Sequence, residues 1–200
     1  MKINLPHVKQ ATNRDCGPAV LKSILAYFGK DISINEMYTI ASVKPDEGFW
    51  TIDLASLAKR LGFDSEFFTI NLGVNSDNMT LYQGFTTSNT SDVQAKFKNA
   101  QELGVKCSEE SLSLDNILSK LSEDSIIISL VDWDVIFPNG QKKYRGHFIA
   151  LCGYDDSKIY FMNPAIGEIE NMSKEIYEVA RKAKGTDEDL VVIKRIGSNQ

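Results

Sequence analysis

Histidine is nearly absent from this 200-residue chain: His7 and His147 are the only two. Cysteine is scarce as well, with Cys16, Cys107 and Cys152 far apart and no Cys-x-x-Cys pair among them. An odd number of separated thiols argues against a disulfide framework, and the spacing suits no structural zinc site. No metal and no cofactor are expected. Long apolar runs are missing too. The richest stretch, Ile126-Ile127-Ile128-Ser129-Leu130-Val131, has the length of a buried strand, far short of the ~20 residues of a membrane span. The first residues, Met1-Lys2-Ile3-Asn4-Leu5-Pro6, lack the apolar core and cleavage site of a signal peptide. Basic charge is not in excess: 22 Lys and Arg stand against 27 Asp and Glu, a net charge of -5. That balance gives no electrostatic reason to expect a nucleic acid or an anionic membrane as partner. The expectation is a cytoplasmic protein.

What is present is ordinary for a globular chain, with 42% hydrophobic and 24% charged residues, and the length suits a single domain over 1–200. Val20, Leu21, Ile24, Leu25 and Phe28 recur on one helical face after Cys16, with Gly29 as the stop. Further helices are expected from Ser33 and from Thr51 to Gly62, then a strand near Phe67 and Phe68. Residues 72–91 are rich in Gly, Ser, Thr and Asn and read as a loop insertion, either one in which Tyr82 and Phe85 hold a substrate beside the cleft or a solvent-facing connector without functional contacts. A helix is expected from about Asp92 and a short one capped by Ser113. Strands follow at 125–131, 147–154, 158–162 and 190–196, the second and third joined through Asp155-Asp156-Ser157, with one more helix from about Ser173. Helices first and an antiparallel sheet afterwards give the α+β class: a helical half packed on an antiparallel sheet.

The few chemical groups fall into a pattern. Cys16 stands just before a helix whose first turn holds Pro18, where unpaired N–H groups and the helix dipole favour a thiolate. Its pKa is therefore expected to be lowered, while Cys107 and Cys152 are expected on strands as structural thiols. Gln10, six residues earlier, offers an amide that can stabilise an oxyanion together with the Cys16 N–H. His147 opens an apolar strand whose alternation puts it and Ile149 on one face, Phe148 and Ala150 on the other. Asn163 closes the next strand, where its side-chain oxygen can fix the imidazole tautomer. Read singly, these are a buried thiol, a surface amide, a core histidine and a turn residue. Together they make a Cys–His–Asn arrangement with an oxyanion donor.

Gln10-Ala11-Thr12-Asn13-Arg14-Asp15-Cys16-Gly17-Pro18-Ala19, with Gly146-His147-Phe148-Ile149 and Asn163-Pro164-Ala165, resembles the C39-type peptidases of the papain-like superfamily. A closer resemblance covers most of the chain. Trp50-Thr51-Ile52-Asp53-Leu54-Ala55, Leu72-Gly73-Val74, Tyr144-Arg145-Gly146-His147, Gly153-Tyr154 and Gly185-Thr186-Asp187-Glu188-Asp189 look like the guanylyl cyclase domain-containing protein family. The resemblance implies a papain-like fold of C39-like type. It also implies catalysis by Cys16, His147, Asn163 and Gln10 on a peptide or protein substrate. Hydrolysis and acyl transfer use the same residues. Two alternatives remain open: a catalytically idle peptide-binding or partner-binding module, and the nucleotide cyclase of the family's name. Cyclisation of GTP needs divalent cations held by carboxylates, yet no Gly-rich phosphate loop is present. The acids of Gly185–Asp189 read as a solvated turn, and Asp132 and Asp134 as a loop rim.

Overall fold

The helix begun at Cys16 and the strand begun at Gly146 meet at one end of a seven-stranded sheet, and the rest of the fold holds them there. The computed structural model describes residues 1–45, 47–72, 81, 90–140 and 143–197. Most of the expected insertion, Tyr82 and Phe85 included, lies outside the described residues.

Three helices come first: α1 (Cys16–Tyr27), α2 (Ile34–Ala41) and α3 (Thr51–Arg60). Ser33 caps α2 in a reciprocal capping box with Glu36, which satisfies N–H groups at its start. Strand β1 (Asp64–Thr69) follows, then α4 (Thr90–Glu102), β2 (Lys106–Glu109) and α5 (Leu114–Ser119), the last capped by Ser113. The helix therefore begins inside the stretch read as insertion, at Thr90. Next come β3 (Ser125–Asp132), the single turn α6 (Trp133–Ile136), β4 (Gly146–Tyr154), β5 (Lys158–Asn163) and β6 (Glu168–Ser173). Helix α7 (Lys174–Arg181) and β7 (Leu190–Lys194) complete the described elements.

The strand order is β2-β1-β7-β3-β4-β5-β6, antiparallel throughout except for the parallel β1–β2 pair. Asp155 tightens the β4–β5 turn by accepting the N–H groups of Ser157 and Lys158 at 2.9 and 2.8 Å. The central strand β3 is apolar on both faces because helices cover both. Register pairs Ser129 with Ile149 and Val131 with His147, which puts all four on one face. Tyr177 of α7 lies on that face and donates to the Ser129 hydroxyl at 3.1 Å. Phe148 points to the other face, toward Gly17 of α1 and Leu54 of α3. A continuous core of buried residues runs from Ile3 to Ile193 through both layers. Among the described residues no helix is long and apolar enough to cross a membrane.

Candidate active site

Cys16 is the first residue of α1, and the segment before it is braced. The Asp15 carboxylate is buried; it accepts the Thr12 N–H at 2.8 Å and the Tyr38 hydroxyl at 2.9 Å. Gly17 has little room for a side chain: an added Cβ would lie 3.2 Å from Phe148 Cδ2 and 3.3 Å from the Leu54 methyls. The β4–β5 ladder ends at the Ala150–Met162 pair, and upstream of it the Phe148 N–H turns to the Cys16 sulfur. The N–H groups of Gly17 and of Cys16 itself also face the sulfur.

The thiol's ionisation runs against expectation. Burial pushes the Cys16 pKa above the usual thiol value, and the three N–H groups only partly offset that push. The helix terminus was legible in the sequence, whereas the enclosure of the sulfur was not. Cys107 on β2 and Cys152 on β4 are raised by burial as well, Cys152 to about 12.

His147 is buried, with Nε2 3.4 Å from Asn163 Oδ1. The Trp133 ring packs on the imidazole at a centroid distance of 4.2 Å. Burial drives the imidazole pKa down to about 4, with the Arg145 charge adding to the fall and the Asn163 contact opposing it. At rest the Cys16 thiol and the His147 imidazole are thus each neutral. Asn163 is itself held on two sides, since Oδ1 accepts the Ala165 N–H at 2.9 Å and Nδ2 donates to Glu170 at 2.5 Å. Arg145 is tied down through Asp134 at 3.1 Å and the Phe137 carbonyl at 2.7 Å. Asp132 accepts the N–H groups of Asp134 and Arg145 at 3.0 and 3.1 Å. The two acids read as a loop rim therefore brace the segment that carries Trp133 and Arg145.

Gln10 is stitched to the loop after Asn163 by its backbone N–H, which donates to the Pro164 carbonyl at 2.8 Å. Its Nε2 donates to the Thr12 carbonyl at 2.9 Å, and a primary amide carries a second hydrogen for another acceptor.

A cleft opens beside Cys16, with about 920 Å³ of atom-free space that is partly open to solvent. Phe49, Trp50, Phe97, Tyr144 and Phe148 form much of its wall, with Asp187 and Asp189 on one side. The Gly185–Asp189 segment is thus no solvated turn. Thr186 is fully buried, and burial raises the Asp189 carboxyl to about 8 against the pull of the Thr51 and Thr69 hydroxyls. Nothing in an acid-rich run of five residues signals that placement. Among the described residues, no three His, Cys, Asp or Glu side chains gather as metal ligands.

The fold is that of C39 peptidase domains. A C39-like peptidase from Bacillus anthracis superposes with a TM-score of 0.62 at 12% identity, over 99% of this chain and all of that one. The peptidase domain of Streptococcus ComA, a bifunctional ABC transporter of a quorum-sensing pathway, gives 0.55 at 18% identity, covering 96% and 100%. A double-glycine-motif protease from an AMS/PCAT transporter, solved with its leader peptide, gives 0.53 at 15%, covering 98% and 94%. Within that fold the chain belongs to the family described as guanylylate cyclase, whose pattern matches residues 5–193. It is 30% identical over 210 residues to guanylyl cyclase 1 of Arabidopsis thaliana, covering 96% of this chain and 76% of that protein.

Proposed function

We propose that residues 1–200 act as one papain-like domain that cleaves, or transfers, an acyl group of a peptide or amide through Cys16. The observation that carries the reading is the Nε2–Oδ1 contact of His147 and Asn163, one residue along the strand from the Phe148 N–H that meets the sulfur of a cysteine opening a helix and bordering a cleft. Cys16 attacks the substrate carbonyl carbon while its thiol proton passes to His147 Nδ1. The Cys16 N–H and the second hydrogen of Gln10 Nε2 hold the oxyanion. Collapse breaks the C–N bond as His147 returns the proton to the leaving amine, and water or a second amine then takes the thioester. Substrate binding shields the site further, so His147 works as a general base from a neutral pair rather than from a preformed ion pair.

The raised thiol pKa favours one rival, a peptide-binding module that keeps the cleft without the chemistry. A peptide electrophile separates the two. Stoichiometric labelling of Cys16 much faster than Cys107 or Cys152, and lost in His147→Ala, is the expected result. Labelling that ignores His147 overturns the enzyme reading. A parallel incubation with GTP and a divalent cation registers any cyclase chemistry of the kind the family's description names.

A further inference from the structure

The cleft holds charge-bearing groups that the proposed thiol chemistry leaves unused: Arg14, Asp187 and Asp189. Asp189 sits where β7 begins, on a cleft wall otherwise dominated by aromatic rings. The backbone that delivers it adopts the left-handed region at three positions: Gly185 (φ 99°), Asp187 (φ 48°) and Glu188 (φ 53°). For residues with a Cβ that region costs on the order of 1 kcal/mol or more each, so the surroundings must enforce it. They do so through named contacts. The Thr186 hydroxyl donates to the Arg181 carbonyl at 2.6 Å, and the fully buried Arg181 guanidinium donates to Glu188 at 2.9 Å. Ser111 donates to the same carboxylate at 2.7 Å. The Asp187 carbonyl accepts the Ile70 N–H at 2.9 Å, and the Asp189 carbonyl accepts the Leu130 N–H at 3.1 Å.

The neighbouring acid Asp53 shows what a structural carboxylate looks like here. It is buried in the first turn of α3, takes the Trp50 N–H at 3.0 Å and is met by the Lys96 ammonium at 2.7 Å. Asp189 faces the Thr51 and Thr69 hydroxyls and, among the described residues, forms no ion pair with a basic side chain. We propose that Asp189 is the specificity-determining carboxylate of the cleft, recognising an ammonium or guanidinium group on the substrate. This rests on reading the cleft as a peptide site. Without a cation, burial leaves the acid protonated near neutrality; a cation entering the cleft draws off that proton and forms a shielded ion pair. The aromatic walls add favourable ring faces for the same group. The other charged or titratable groups lining the cleft are Asp187, Arg14, Cys16 and Tyr144.

Binding and turnover are measured separately. Calorimetry on Cys16→Ser uses acetylated peptide amides in which each position in turn is Lys, Arg or norleucine, plus unacetylated versions. At least one cationic peptide is expected to bind about tenfold or more tightly than its norleucine counterpart, with the preference abolished by Asp189→Asn. Preference for the unacetylated form identifies a chain N-terminus; preference for Lys or Arg identifies a side chain. In turnover, Asp189→Asn should lose the same preference while iodoacetamide still alkylates Cys16 at the parental rate. Equal binding of cationic and neutral peptides, or a preference that survives Asp189→Asn, overturns the inference. A charge preference in binding with no turnover of any peptide leaves Asp189 in this role and removes the proposed reaction; turnover without a preference does the reverse.

Discussion

The Oδ1 atom of Asn163 stands between two partners, the Ala165 N–H at 2.9 Å and His147 Nε2 at 3.4 Å. Because Nδ2 of the same amide faces the Glu170 carboxylate, the group turned to the imidazole is the acceptor. Nε2 therefore carries the hydrogen, and Nδ1 keeps the lone pair. A base with its lone pair at Nδ1 is what the proposed chemistry requires.

Asn163→Ala removes that orientation. Its kcat/KM on a peptide substrate is expected to fall by about tenfold to a hundredfold, with smaller loss in Asn163→Asp paired with Glu170→Gln, which restores an acceptor without setting two carboxylates together. A merely structural asparagine would give equal losses in both variants.

His147 makes stability depend on pH in a calculable direction. Its pKa is about 4 in the fold against an ordinary 6.5, so between those values the unfolded chain binds more protons. Stability contributed by the neutral imidazole is thus full above about pH 6.5 and declines as pH falls toward 4, by at most about 3 kcal/mol. Denaturant melts of the parent and His147→Gln should converge as pH drops through this window. Parallel curves would contradict the assignment.

Trp133→Ala opens the imidazole to water. The His147 pKa is expected to rise from about 4 toward 6.5, followed by NMR titration. Only the exposed His7 shares the spectrum, so the signal is readily assigned.

Asp189 has the opposite sign. Its pKa of about 8 in the fold means that stability from the protonated acid is full below the ordinary value of 3.8 and is lost as pH rises through 8. Asp189→Asn, a neutral mimic, should gain on the parent as pH rises, by about 1 kcal/mol or more at pH 9, or several degrees in Tm. A difference independent of pH would mean that the carboxyl is well hydrated.

The helices that frame the site were legible because their apolar faces repeat every three to four residues and their ends carry Ser33, Ser113 or a glycine. Strands β3, β4, β5 and β7 were legible as short apolar runs. Strand β6 was not: an edge strand with Glu168, Glu170 and Asn171 among its six residues has no apolar alternation to read. Among the candidate residues, types and chain order were readable, so His147 and Asn163 were named together before their contact was visible. Trp133 escaped notice because its role depends on a cross-strand placement beside His147. The ionisation of Cys16 was read the wrong way because sequence position reveals a helix end but not the desolvation around it. Gly185–Asp189 failed for a related reason, since acidic composition usually marks solvent and here a buried arginine turns the loop inward.

Gly17 bears no functional group, yet it sets the distance between the nucleophile's helix and the strand of the imidazole. With Phe148 and Leu54 already 3.2–3.3 Å from where its Cβ would stand, one methyl group displaces those side chains, and the seam they fill, by a few tenths of an ångström. The sheet has ample packing elsewhere to absorb such a step. The sulfur, which meets the sheet through the Phe148 N–H and its own helix through the N–H groups of Gly17 and Cys16, does not. The tolerance of this seam is therefore narrower for reactivity than for folding: a hydrogen atom in place of a side chain acts as a calibrated shim, separating a chain that merely folds from one whose thiol is aligned.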